Sequence, residues 1–250
     1  MGVIEKYHEA IRSILESISH EKDSIAEAAG MIADALAAER TIFLGHGGAH
    51  SGMVLEELFY RAGGLSAMNP MFDEAVYLGN GAVRATKMER TPGYGRMIID
   101  RYGVGRDDVV LIITSVGITT MAVDEALEAR DRGARVVALT STSFAENTPK
   151  DHPSRHPEGH NLHELADVFL NCHVPNGDAV LKIDGVDQRF GASSTIALSY
   201  LAHQLTSEVV RVLHERGIEP DLWQSSNTPG GDDANRRNIE KYRPRVRALG

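Results

Sequence analysis

Thr41-Ile-Phe-Leu-Gly-His-Gly-Gly-Ala-His-Ser-Gly52 and Val109-Val-Leu-Ile-Ile-Thr-Ser-Val-Gly-Ile-Thr-Thr120 are the two stretches that decide the fold. Each opens with a short apolar run, as a parallel strand buried on both faces does. Each then breaks at small and hydroxylated residues and runs on with the periodicity of an amphipathic helix. A strand that turns directly into a helix leaves backbone N–H groups and hydroxyls at the helix start, where the dipole favours an anion. Two such junctions on neighbouring strands predict a pocket for a ligand that carries phosphate or another anion.

Working outward, strands are predicted over 41–44, 65–68, 109–113, 135–139 and 168–170. Ile4, Tyr7, Ile11, Ile14, Leu15 and Ile18 recur at helical spacing, and a second helix follows through Ile25, Ala28, Ile32 and Leu36. Further helices are expected over 51–62, 119–132, 193–216 and 232–248, the first three closed by Gly63-Gly64, Gly133 and Gly217. Residues 71–106 read as irregular around a short helix over 94–102, and 141–160 as a polar loop too long for a mere connector. The alternation predicts one α/β domain over 1–250, a doubly wound three-layer α-β-α sandwich with a five-stranded parallel sheet and added N- and C-terminal helices. Ligands in such sheets bind beyond the carboxyl ends of the strands, where both junctions lie.

Composition narrows the function. A net charge of −9 argues against a nucleic-acid surface, and the basic residues from Arg236 to Arg247 are interleaved as on a solvated helix face. The single cysteine, Cys172, excludes an internal disulfide and fits a reducing compartment. No apolar run approaches the roughly 20 residues of a membrane span, and the acidic N-terminal stretch is unlike a signal peptide. The expectation is a soluble, cytoplasmic protein with neither nucleic-acid nor membrane partners.

Other motifs fail at specific positions. A dinucleotide fingerprint starting at Gly45 meets His50 where its third glycine belongs, and one starting at Gly47 meets Ala49 at its second. There is no Gly-Lys-Ser/Thr, so a P-loop is out. Ser115-Val116-Gly117 is half a nucleophile elbow, with Ile113 in the place of the first glycine.

Taken together, the motifs resemble those of SIS (sugar isomerase) domain proteins along nearly the whole chain. Gly47-Gly48-Ala49-His50-Ser51 followed by Glu56-Glu57-Leu58 is similar to the first loop and helix of phosphoheptose isomerases. Thr114-Ser115-Val116-Gly117-Ile118-Thr119 resembles the family's S-x-S-G-x-T phosphate loop. Residues 156–159, Gly177-Asp178-Ala179, Ser193-Ser194-Thr195 and the tail 226–232 resemble a bacterial subgroup named chiefly by this domain. Val116 stands where the phosphate loop has its second serine, and Ala49 where the first loop has a glycine. The resemblance implies a flavodoxin-like sheet and a phosphosugar site formed by Gly47, Gly48, His50, Ser51, Thr114, Ser115, Gly117, Thr119, Thr120, Ser193 and Ser194. Capping of the two helices by Ser51 and Thr119 accounts equally for small hydroxylated residues at those points.

Aldose–ketose isomerisation moves a proton between adjacent carbons through an enediolate and needs a carboxylate base with a second acid/base group. Glu57 matches the catalytic glutamate of phosphoheptose isomerases by position; Glu56, its neighbour, cannot share its direction on a helix. His203 lies roughly where those enzymes hold a histidine, and His156 in the long loop is the competing second group. His152, His156, His160 and His163 have the spacing to line one helix face, and some relatives bind zinc, but Pro153, Pro157 and Gly159 oppose a continuous helix. The expected cofactor and metal content is therefore none, with zinc as the alternative.

Three classes stay open at this point: a phosphosugar isomerase or related lyase (etherase), a sugar-phosphate sensor without chemistry, and a scaffold. Glu57 and the histidine-rich loop favour the first. The broad apolar faces of the first and the 193–216 helices, with the family's habit of pairing through such helices, predict a homodimer or homotetramer.

Overall fold

Side chains along the central strands alternate between two cores, which lets one sheet carry helices on both faces. Ile42, Leu44, Leu111, Ile113, Val137 and Leu139 belong to one apolar cluster; Phe43, Val110, Ile112, Val136 and Ala138 belong to the other. The structure, a computed structural model, describes residues 2–250. In chain order the main elements are α1 (Val3–Ile18), α2 (Lys22–Ala37), β1 (Ile42–His46), α3 (Gly52–Leu58), β2 (Met68–Pro70), α4 (Ala82–Glu89), α5 (Tyr94–Tyr102), β3 (Val109–Ile113) and α6 (Thr120–Asp131). There follow β4 (Arg135–Thr140), α7 (Thr142–Asn147), α8 (Leu162–Leu165), β5 (Val168–Asn171), β6 (Ala179–Leu181), β7 (Phe190–Ala192), α9 (Ser194–Glu215) and α10 (Gly231–Tyr242).

The five-stranded sheet has the order β2-β1-β3-β4-β5 with every pair parallel. This is the flavodoxin-like order, whose strand sequence reverses between β1 and β3. Helices α1, α2, α3 and α9 pack together on one face, and α5, α6 and α8 on the other. The reversal places the ends of β1 and β3, hence both junctions, side by side.

Four departures from the expected elements stand out. Helix α3 stops at Leu58 because Phe59 turns extended and Tyr60 adopts φ 51°, which seats the Tyr60 ring 4.7 Å from that of Trp223. Leu65 does not enter the sheet; it bridges Leu222, and β2 forms further on at Met68–Pro70. Residues 71–106 contain α4 as well as the expected α5. The 141–160 segment begins with α7 and is held by Arg155, whose guanidinium donates to the carbonyls of Ala145 (2.6 Å), Thr148 (2.7 Å) and Pro149 (3.0 Å). Among the described residues no helix is long and apolar enough to cross a membrane.

Candidate functional site

The first junction needs glycine because it lies directly on α6. A Cβ on Gly47 would fall 2.7 Å from the Ala122 Cβ and 2.8 Å from Thr119 Oγ1. The buried hydroxyl of Thr119 donates to the Gly47 carbonyl at 2.9 Å and so ties the second junction to the first. His46, at the end of β1, lies with Nδ1 2.9 Å from the Gly48 carbonyl, so the neutral ring carries its proton there. Burial holds its pKa below the ordinary histidine value, which keeps the ring neutral.

In the second junction the Val116 N–H donates to Thr114 Oγ1 at 3.2 Å, and the Ile118 and Thr119 N–H groups turn back to the Val116 carbonyl. The N–H groups of Gly48, Ser115 and Gly117 have no protein acceptor among the described residues. Neither Ser51 nor Thr119 caps its helix with its side chain. Helix capping therefore does not account for the hydroxyls at these two positions.

A cavity of about 510 Å³ opens over the two junctions, within the usual range for small-molecule sites. Gly47, Gly48, His50 and Ser51 line it from the first junction, Ser115 and Thr119 from the second, and Ser194 from the start of α9. The other expected ligand contacts face elsewhere. Thr114 Oγ1 is engaged by the turn, Thr120 Oγ1 is directed to the Arg155 carbonyl at 3.5 Å, and Ser193 is buried beneath Asp178.

The three acid/base candidates separate. Glu57 and His203 come together across α3 and α9, with Nε2 3.0 Å from Oε1, and Arg61 lies 3.3 Å from the same oxygen. This pair is half-exposed and does not line the cavity. Glu56 faces a different groove, beside Phe59 and Phe72, so the adjacent glutamates do diverge. His156 is buried with Nε2 3.3 Å from Asp124 Oδ1, while its Nδ1 accepts from the Glu158 N–H; it clasps the 141–160 segment to α6. His152 bonds Ser154, His160 lies near Glu158 and His163 packs at a tilt against Phe169. Among the described residues no group of three or more His, Cys, Asp or Glu gathers around one point.

Two carboxylates in the cavity wall were not anticipated. Asp178, held at φ 62°, accepts the Ser193 and Ser194 N–H groups at 2.9 and 2.7 Å and both their hydroxyls, closing the start of α9. Glu89, the last residue of α4, reaches the first junction, with Oε2 3.4 Å from the Ala49 nitrogen. Burial raises its pKa above the ordinary carboxylate value, opposed by the Ala49 N–H, Arg90 and His50. Asp178 stands inside the Gly177-Asp178-Ala179 motif, which is a signal in the sequence. For Glu89 there is none, because α4 itself carries too little apolar periodicity to be read.

With this geometry in place, similarity to known proteins is specific. Residues 6–141 match the SIS domain family. The chain is 35% identical to a UPF0309 protein of Geobacillus kaustophilus over 248 residues, covering 99% of this chain and 97% of that one. It is 36% identical to a UPF0309 protein of Geobacillus thermodenitrificans, covering 99% and 98%. Among solved structures its fold is similar to that of a phosphoheptose isomerase from Francisella tularensis, with a TM-score of 0.53 and 15% identity over 84% of this chain and 100% of that one. It is also similar to the Vibrio vulnificus NanR protein complexed with ManNAc-6P, with a TM-score of 0.51 and 14% identity over 97% and 69%. The chain belongs to the SIS domain family and, within it, to the UPF0309 proteins.

Proposed function

We propose that this protein binds a phosphorylated sugar in the cavity over the two junctions and interconverts its aldose and ketose forms through an enediolate. One observation carries the reading: the Thr119–Gly47 bond holds together two turns whose Gly48 and Ser115 N–H groups are free, in the wall of a sugar-sized cavity. Free N–H groups beside the start of the twelve-residue helix α6 suit a phosphate ester, because the donors are fixed before the ligand arrives. The ligands in the names of the two similar structures support the same class. Nothing in the acidic net charge calls for a nucleic-acid partner.

The test compares ligand binding with stability. Ser115→Ala is expected to weaken binding of a sugar phosphate at least several-fold, read by calorimetry, while moving the melting temperature of the free protein by only a degree or two. A fall in stability with binding unchanged would return Ser115 to a structural role.

A second reading, sensing without chemistry, is supported by one observation: Glu57 and His203 lie outside the cavity. Solvent deuterium incorporation into a bound sugar phosphate separates the two readings, since a sensor binds without exchange.

A further inference from the structure

We propose that Glu89 is the carboxylate that moves the proton between the sugar carbons, a reading that rests on the isomerase function proposed above. Among the described residues Glu89 is the one glutamate in the cavity wall. Its Oε2 lies so close to the first junction that a Cβ on Gly48 would fall 2.5 Å from it. A carboxylate in that position repels a phosphate dianion from the first turn. The ester is thereby left the free N–H of Ser115, the Gly48 N–H serves a sugar oxygen, and the carbon chain extends from Ser115 toward Glu89.

The surroundings of the two glutamates differ. Glu57 Oε1 is held by His203 at 3.0 Å and has Arg61 at 3.3 Å, and this pair stands outside the cavity. Glu89 has a single long contact, to the Ala49 N–H, and is half-buried; Arg90 and His50 are the charged or titratable groups beside it. Burial raises its affinity for a proton, which suits a group that must accept one and return it.

In the step assigned to it, Glu89 takes the proton from the carbon that bears the hydroxyl. The C–H electron pair becomes the C=C bond of the enediolate as the carbonyl π pair moves onto oxygen. The hydroxyl proton passes between the two oxygens, and Glu89 returns its proton to the former carbonyl carbon. His50, on the cavity rim, is the ring placed to carry the proton from oxygen to oxygen. Nothing is consumed, and the product is the isomer.

Proton NMR in D2O tests this with ribose 5-phosphate, fructose 6-phosphate and sedoheptulose 7-phosphate as probes. Glu89→Gln retains an acceptor for the Ala49 N–H and is expected to slow carbon-bound hydrogen exchange about 100-fold or more, with calorimetric binding of the same probe kept within a few-fold. Glu89→Asp, which keeps a carboxylate, is expected to exchange measurably, and it serves as the folded comparison if the Gln variant does not fold. Exchange that survives undiminished in Glu89→Gln, or that is lost in Glu57→Gln alone, overturns the assignment to Glu89 and leaves the isomerase reading standing. Wild-type protein that binds a probe and exchanges none of them overturns the isomerase reading itself, and the role of Glu89 with it.

Discussion

Replacing Thr119 by Val removes the one hydroxyl that joins the two junctions while keeping the side chain's shape. Thr119 is 6% exposed and its bond to the Gly47 carbonyl is 2.9 Å long, so the variant leaves a buried acceptor unpaired. Such a loss costs about 1–3 kcal/mol. For a chain of 250 residues that corresponds to a fall in melting temperature of roughly 2–12 °C, at about 2–4 °C per kcal/mol. Thr119→Ser keeps the donor and is expected to recover most of the difference. The same bond fixes the spacing of the free Gly48 and Ser115 N–H groups, so Thr119→Val is also expected to weaken binding of a sugar phosphate beyond what stability explains. Differential scanning calorimetry with and without ligand reads both effects. A Thr119→Val protein that melts within a degree of wild type and binds as tightly would refute the claim that this bond organises the site.

Three further outcomes follow from particular residues. Glu125 is fully buried on α6, neither carboxylate oxygen has a side-chain or backbone partner of ordinary geometry, and burial raises its pKa well above 4.5. Above that ordinary value the unfolded chain releases the proton while the folded chain keeps it, so this group's contribution to stability falls as pH rises, by up to about 1.4 kcal/mol per pH unit until the folded group ionises. Urea unfolding between pH 5 and 8 is expected to show that slope in wild type and not in Glu125→Gln; equal slopes would contradict it. Asp178→Ala strips the start of α9 of its acceptor and is expected to cost about 1–2 kcal/mol in urea unfolding, most of it restored by Asp178→Asn. Ile4 at 82%, Val83 at 73% and Met97 at 66% exposure leave apolar surface uncovered, and a homodimer or homotetramer is the expected species. Light scattering at micromolar concentration checks this, and a mass of 27.2 kDa would contradict it.

Much of the fold was readable because the strands are short runs of β-branched and aliphatic residues with glycine stops. Val109–Ile113 and the helix Tyr94–Tyr102 fall where periodicity placed them. What failed to show depended on distant partners. Leu65 has the composition of a strand residue, and only its pairing with Leu222, far along the chain, keeps it out of the sheet. Helix α3 was expected to continue to residue 62 because nothing nearby reveals the Trp223 ring that receives Tyr60. The site divides along the same line. Gly47, Ser115 and Thr119 are local features of the junctions and line the cavity. Glu57 and His203 are each singled out by resemblance, whereas their pairing, outside the cavity, is set by the packing of α3 on α9. Glu89 reaches the first junction from a helix that the sequence hides, since Ala85 is the sole buried residue of α4.

The most direct measurement is isothermal titration of the wild-type protein with a sugar phosphate and, in parallel, with the same sugar lacking its phosphate. Saturable binding of the ester, loss of that binding without the phosphate, and its weakening by Ser115→Ala are the predicted results. Equal binding of the two sugars, or binding of neither across aldose and ketose phosphates of five to seven carbons, would contradict the assignment of this cavity to a phosphorylated sugar.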